Sequence, residues 1–374
     1  MQTDWKKIAN EFSIDSDLVW LNSCGVSIPP IKSNEAVGDY LQAFSQRGIM
    51  QEKYPHGVIK KNIVNKFSEF LGGRPEEYAI LQNTAEAMHF LAHSLPVQSG
   101  DRMLLVDKEF PSNIYPHWQL KQKGVEFDYV APALSNAAFI ENFKKAITPK
   151  TRYASVSAVD WLTGLRMDLE SIGNLCKEKG IILIVDAAQG AGHVPIDVKK
   201  YNISAMAFSC WKWLLGPLGS AGFYIDSEFM KTLNITAMGT SSVVNDAVYL
   251  PYRTETKSNA ERFMLSTAAY MNWIHLNASL NFIAAIGLSS VQSQILLLAE
   301  KIATILRENG FNVLCDNFGV DKTGIVSAHD PERDMNEIFA EFQRRGIICA
   351  LREGNLRFSP HIHLTEERIE ALEL

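Results

Sequence analysis

What the sequence lacks narrows its class before any motif is read. The five cysteines, Cys24, Cys176, Cys210, Cys315 and Cys349, are odd in number, widely spread and never paired as Cys-x-x-Cys. That argues against a disulfide framework or a zinc site and fits reduced thiols in a cytosol. No long Lys/Arg run occurs and the net charge is -6, so the basic stripe of a nucleic-acid binder is missing. No apolar stretch approaches the roughly 20 residues that span a bilayer. The N-terminal MQTDWKKIANEF has no apolar core of signal-peptide length. The chain therefore reads as cytoplasmic, with no nucleic-acid or membrane partner and small molecules as the expected ligands. The triplets at Asn202, Asn234 and Asn277 that match a glycosylation pattern are then chance matches. Internal repeats, low-complexity tracts and charge blocks are also missing.

What is present is a globular composition, 47% hydrophobic and 21% charged over 374 residues, long enough for two domains. Short apolar runs recur at Met103 to Val106, Tyr153 to Val159, Ile181 to Val185, Ala205 to Phe208 and Gly222 to Ile225. None shows polar alternation, as expected of strands covered on both faces. Helix-period stretches such as Asp168 to Lys179 lie between several of them, which predicts a parallel sheet with right-handed crossovers. A polar connection, Asn245 to Arg262, leads into a long helical region from about Thr267 through Asn309. Val313 to Ala328, a helix from Met335 to Arg345, and Ile347 to Ser359 then form a small α/β unit. The expected fold class is α/β, with a large domain built on a mostly parallel sheet between helices and a smaller C-terminal α/β domain. The expected division is an N-terminal helical segment at 1–20, a large domain at 21–265, and a linking helix with the small domain at 266–374.

Chemistry concentrates in Ile181 to Lys212. Asp186 closes an apolar strand, and ligands of open α/β sheets sit at the carboxyl ends of strands. A carboxylate buried there needs a charged partner or a strong donor, and a protonated pyridine nitrogen would supply one. Gln189 could donate to a phenolate oxygen across the same ring. Lys212 stands between Trp211 and Trp213, ahead of a Leu-Leu-Gly-Pro turn. Desolvation there would lower its pKa and favour the neutral amine that attacks an aldehyde. The competing reading is a surface lysine snorkelling over aromatic rings.

A strand-end Asp186, Gln189 three residues on, then about two dozen residues to Ser209-x-x-Lys212 and a Gly-Pro-x-Gly turn resembles the core signature of class V aminotransferase-like pyridoxal-phosphate enzymes, of fold type I. That group includes cysteine desulfurases, selenocysteine lyases and isopenicillin-N epimerase-like proteins. The resemblance covers nearly the whole chain, from Leu21-Asn22-Ser23 to the last helix, and its landmarks follow in order. Leu81 to Ala87 resembles the phosphate-binding turn, with Thr84, Ala85 and Glu86 at the cofactor. Asn83 and Glu86 have capping-box spacing at a helix start whose free amides suit a phosphate. Glu109-Phe110-Pro111-Ser112-Asn113 resembles the segment whose ring stacks on the cofactor, which puts Phe110 there. Asp160, before Thr163-Gly164, falls near the phenolic oxygen. Asn355 to His361 resembles an L-R-x-S-P-H stretch whose arginine, here Arg357, grips the substrate carboxylate as a planar bidentate donor, with Asn22 also at the substrate. Arg262 to Thr267 is similar to a segment that delivers a threonine, here Thr267, to the phosphate of a neighbouring subunit. The resemblance thus implies pyridoxal 5'-phosphate held by Lys212, Asp186, Gln189, Ser209 and Trp211, a small amino-acid substrate and a homodimer.

The departures bear on the reaction. Phe110 and Trp211 stand where relatives often have His. Cys349, in an apolar run, leads almost directly into Asn355-Leu356-Arg357, leaving no room for the reactive-cysteine loop of desulfurases. The expected reaction is therefore transamination or epimerisation at Cα. Desulfurase or selenocysteine-lyase β-elimination is the alternative, and a catalytically silent scaffold is the reading from another class. His89 and His93, four apart on a helix, lack a third ligand or an H-E-x-x-H pattern, so no metal site is expected.

Overall fold

Every run read as a buried strand lies in one seven-stranded sheet. The structure is a computed structural model that describes residues 3–315, 321 and 323–370. Residues 316–320 and 322, within the Val313–Ala328 stretch of the expected small unit, lie outside the described residues, as do 1–2 and 371–374. In chain order the strands are Val19–Trp20 (β1), Tyr78–Leu81 (β2), Arg102–Val106 (β3), Glu126–Val130 (β4), Thr151–Ser157 (β5), Ile182–Asp186 (β6) and Ala205–Ser209 (β7). Ala221–Ile225 (β8), Asn312–Val313 (β9), Val326–His329 (β10), Ile347–Ile348 (β11), Ala350–Arg352 (β12) and Asn355–Phe358 (β13) follow.

The large sheet has the order β2-β8-β7-β6-β5-β3-β4. All its ladders are parallel except those of β8, which runs antiparallel to both β2 and β7. Period-two alternation divides its side chains between two apolar layers. Leu104, Val106, Leu183, Val185, Met206 and Phe208 pack into one core with helices His56–Leu71, Leu169–Lys179 and Tyr270–Ile286. Met103, Leu105, Ile184, Ala205, Ala207 and Phe223 face the opposite layer, which includes helix Thr84–Ser94. Both faces being covered is why these strands read as unbroken apolar runs. The strand without such a run, β4, is an edge strand with a partly exposed EFDYV sequence.

Two features differ from the sequence reading. The helical region expected from Thr267 through Asn309 is two helices, Tyr270–Ile286 and Leu288–Glu308, bent by 85°. The break falls at Gly287, whose φ of 93° suits a residue without a Cβ. The segment expected to be helical through residue 20 contains the helix Trp5–Ala9 and ends in β1, which pairs in parallel with β11. The C-terminal strands form an antiparallel sheet of order β12-β13-β10-β9. Its core takes in Leu298, Ile302 and Leu306 of the second long helix, and also Leu21. Among the described residues no single helix is long and apolar enough to cross a membrane.

Helix Leu169–Lys179 is capped by Asp168, whose side chain accepts from Ser171 N, and it packs tightly at Gly173. A Cβ there would sit 1.8 Å from the Tyr201 carbonyl oxygen. Alanine gains about 1 kcal/mol of helix propensity over glycine, but a clash with backbone forces the helix off the sheet. Gly173→Ala should therefore lower stability by about 1–3 kcal/mol, read as an earlier denaturant midpoint. An unchanged or later midpoint would show that this helix is not locked against Tyr201.

Candidate active site

Five strands of the large sheet end on one edge, and the loops leaving them enclose a cavity of about 380 Å³. Asp186 ends β6, Ser209 ends β7, Thr84 opens the helix after β2, Phe110 follows β3 and Trp161 follows β5. From β3 the chain moves outward to β4 and then crosses back to β5, so Phe110 and Trp161 flank a switch point of the sheet, where ligands of such folds sit.

Lys212 and Asp186 line this same cavity. Asp186 is buried, and its Oδ1 accepts a hydrogen bond from Ala188 N at 2.8 Å. Burial raises its carboxyl above the ordinary range, opposed by the Ala188 amide and by the charge of Lys212. Lys212 is held in a pinned turn: its carbonyl accepts from Leu215 N at 3.2 Å, Gly216 N donates to the Cys210 carbonyl at 2.8 Å, and Ser27 N donates to the Trp211 carbonyl at 2.9 Å. Leu215 closes the turn with φ 58°, a left-handed conformation unfavourable for a branched side chain. Burial lowers the Lys212 pKa, Asp186 opposes that, and Arg357 adds to it. The ammonium nitrogen lies 5.7 Å from the centroid of the Phe110 ring. That ring meets Trp161 edge-on at 5.7 Å.

In the same cavity the Thr84 and Ser209 hydroxyls hydrogen-bond each other at 3.0 Å. Asn83 Oδ1 caps the helix by accepting from Glu86 N at 2.8 Å, and Glu86 reaches back to Gln82 N at 2.7 Å. The expected reciprocal bond of Glu86 thus falls one residue earlier, and Glu86 lines a separate cavity rather than this one. The Thr84 and Ala85 amides stand at the open first turn of an 11-residue helix, where an anion binds. Gln189 is buried, donating to the Cys24 carbonyl at 2.9 Å and accepting from Trp213 Nε1 at 3.0 Å.

Arg357 is 4% exposed, with Nη1 donating to the Trp161 carbonyl at 2.5 Å and Nε without a partner. Arg357 lines the cavity, and a buried guanidinium with one donor unsatisfied fits a carboxylate. The Leu21–Cys24 segment is stitched to the residue after β13, with Ser359 N donating to the Leu21 carbonyl at 2.7 Å and Cys24 N to Ser359 Oγ at 2.9 Å.

Of the residues singled out in the sequence, Thr84, Ala85, Phe110, Asp186, Gln189, Ser209, Trp211, Lys212 and Arg357 line one cavity. Asn22 is half-buried and does not line it, standing against Gly25 with its Oδ1 3.9 Å from the Cys24 thiol. Asp160 turns its Oδ1 into its own loop, accepting from Leu162 N, Thr163 N and Thr163 Oγ1. Thr267 is exposed beside Gln82 and Ser266 in a separate cavity of about 250 Å³. The wall also holds Cys24, Trp161 and Arg352, to which the sequence reading gave no role. Behind it stands Glu109, whose carboxylate accepts from Phe110 N at 2.8 Å and Ser157 N at 3.1 Å. Ser157 is the ladder partner of Asp186, so Glu109 ties the Phe110 loop to the strand beside Asp186. Its one sequence signal was an acid directly before Phe110.

The chain matches the aminotransferase class-V family model over residues 20–372. It is 28% identical to the uncharacterized aminotransferase YcbU of Bacillus subtilis, across 93% of this chain and 91% of that one. It is 24% identical to a probable cysteine desulfurase of Methanothermobacter thermautotrophicus, across 95% and 93%. An apo cysteine desulfurase from Thermococcus onnurineus NA1 superposes with a TM-score of 0.87 at 22% identity, covering 98% of this chain and 95% of that one. A C-DES mutant with glycine covalently linked to its PLP cofactor gives 0.88 at 22% identity, covering 96% of both chains.

Burial and the Asp186 charge push the Glu109 carboxyl from 4.5 up to about 7. The folded chain then holds this proton more tightly than the unfolded chain. The associated stabilisation is full below 4.5 and is lost as pH rises through 7. Relative to Glu109→Gln, which keeps the buried histidines and Asp186, cofactor-free wild-type protein should lose on the order of 3 kcal/mol across that window. Denaturant titrations of both proteins across the window check this; parallel curves would overturn it.

Proposed function

The chain belongs to the aminotransferase class-V family, and from that membership and the cavity we propose a PLP-dependent enzyme that transaminates or epimerises a small amino acid at Cα. The observation that carries the reading is the convergence of a partly buried amine, Lys212, a buried carboxylate, Asp186, and a buried guanidinium, Arg357, on the lining of one cavity.

The residues fit the cofactor by the chemistry of their donors. The Thr84 and Ala85 amides with the Thr84 and Ser209 hydroxyls would hold its phosphate. Asp186 would hold its ring nitrogen, Gln189 its phenolic oxygen and Phe110 one face of the ring. When bound, it supplies an electron sink for the bond broken at Cα. Lys212, with its charged form disfavoured by burial, would hold the cofactor and serve as the base for the Cα proton. Asp186 keeps a proton on the ring nitrogen through charge pairing. Arg357 binds the α-carboxylate bidentately, and Trp161 restricts water beside it.

Cys349 supports this choice over β-elimination through a persulfide. Burial pushes its thiol up to about 12, and a thiol kept neutral is a poor nucleophile. The β12–β13 connection also leaves no loop to carry a thiol inward.

Borohydride reduction of the purified protein should fix the cofactor on Lys212, located by peptide mass. Lys212→Ala should lower turnover of amino acids with 2-oxo-acid acceptors by roughly a thousandfold or more. Sulfide and alanine released from cysteine, with no transamination or epimerisation, would assign β-elimination. Colourless protein that takes up no added cofactor would assign the silent scaffold.

A second copy of this chain is the proposed partner, bringing Thr267 to the neighbouring cofactor phosphate. Tyr249, Leu250 and Tyr252 are 75%, 66% and 91% exposed on one loop, an apolar surface that a subunit contact would cover. Sedimentation should give a dimer, and Thr267→Ala should release cofactor more readily; a monomer at micromolar concentration would refute this.

A further inference from the structure

Strands β12 and β13 form a hairpin with Arg352 opposite Asn355 and Ala350 opposite Arg357. The turn is only Glu353 and Gly354, with φ 48° and 75°, as a tight two-residue connection requires. Period two then sets Ala350, Arg352, Asn355 and Arg357 on one face. Arg352 and Arg357 are diagonal neighbours there, about 7–8 Å apart at the backbone and within reach of one another's long side chains.

Both arginines line the cavity. Arg357 is buried with its Nε unsatisfied. Arg352 is exposed; its Nη1 donates to the Leu351 carbonyl at 2.8 Å, and among the described residues no carboxylate forms an ion pair with it. The acid on the cavity wall is Asp186, set against Lys212, Arg352 and Arg357. In the proposed reaction Asp186 serves the cofactor ring and Lys212 is consumed in anchoring it. Two guanidiniums then remain for the substrate. An amino acid with one carboxylate neutralises Arg357 and leaves Arg352 facing it without a counter-charge.

We propose that the substrate is an α-amino acid with a second anionic group on its side chain, its α-carboxylate on Arg357 and its side-chain anion on Arg352. Glutamate, aspartate and phosphoserine share this chemistry. The assignment rests on the proposed function of the same cavity and adds the substrate class to it.

The test compares kcat/KM of the holoenzyme for glutamate, aspartate, phosphoserine and alanine with a common 2-oxo-acid acceptor, in wild type and Arg352→Gln. One acidic donor should exceed alanine by at least roughly tenfold, the scale of one charge-assisted contact, and that ratio should collapse in the variant. Which acidic donor leads tells a carboxylate from a phosphate. Calorimetry on the same proteins reads binding without turnover: glutarate should bind at least roughly tenfold tighter than pentanoate in wild type and not in Arg352→Gln. Neutral donors preferred by wild type, or an acidic preference that survives in Arg352→Gln, would overturn the assignment. Protein that neither transaminates any donor nor racemises it, read by chiral analysis of the same mixtures, yet distinguishes glutarate from pentanoate through Arg352, would sink the proposed reaction and leave the anion site standing.

Discussion

A carboxylate buried at the end of a central strand constrains everything around it. Asp186 ends β6 with β5 and β7 on its flanks, and an ion in that position loses several kcal/mol of hydration unless charge returns it. Within the chain the return is partial: one amide, from Ala188, and the charge of Lys212 across the cavity. Glu109 makes the position worse, because its carboxyl is buried nearby and the two acids disfavour each other's charge. The site is therefore short of positive charge at the strand end, although its outer wall is rich in guanidinium. A bound cation with a proton on an aromatic nitrogen would answer the deficit at the inner end, and a substrate anion would answer the excess at the outer end.

That polarity depends on segments far apart in the chain. The inner end is made by turns leaving parallel strands, each positioned by the ladder beneath it. The outer end is made by β13 and the Leu21–Cys24 segment, joined through Ser359. Leu21 also anchors in the apolar core of the C-terminal sheet. A shift of that sheet would thus move Arg357 and Arg352 together relative to Lys212, while the Cys24 segment is tied to both sides through Ser359 and Gln189. The strained turn at Leu215 acts on the other side, holding Lys212 against the same cavity. Backbone strain of this kind persists where surrounding contacts over-determine the geometry, here the bonds at Cys210, Trp211 and Lys212.

How much of this was legible in the sequence follows from how each feature is encoded. The strands covered on both faces show as apolar runs, so β3, β5, β6, β7 and β8 could be read directly. The edge strand β4 could not, because its EFDYV mixes exposed and buried positions. Antiparallel pairing of β8 leaves no trace in an apolar run, and the 85° bend at Gly287 looks like one more helix residue until its φ is known. At the site, Lys212, Asp186 and Arg357 were legible through motif spacing. Arg352, Trp161 and Cys24 were not, since they belong to the cavity only by tertiary approach. Thr267 and Asp160 show the limit from the other direction: a motif position fixes a place along the chain, while the direction of the side chain depends on its loop.

The hairpin between β12 and β13 is where the proposed reaction and the proposed substrate class meet. A long loop in that position would let a thiol reach the cavity but would leave the outer wall mobile. Two residues with left-handed backbone remove that reach and fix the register, so Arg352 and Arg357 share one face. Cys349, immediately before β12, is turned into the core with Phe342, Leu356 and Phe358. The cavity keeps one thiol, that of Cys24, at a wall where its carbonyl holds Gln189 and its amide is bonded to Ser359. Cys24 is thus immobilised from both sides and suited to shaping the pocket. The short connection thus keeps Cys349 out of the cavity and sets two arginines on its lining, the geometry on which the proposed reaction and the proposed substrate class both rest.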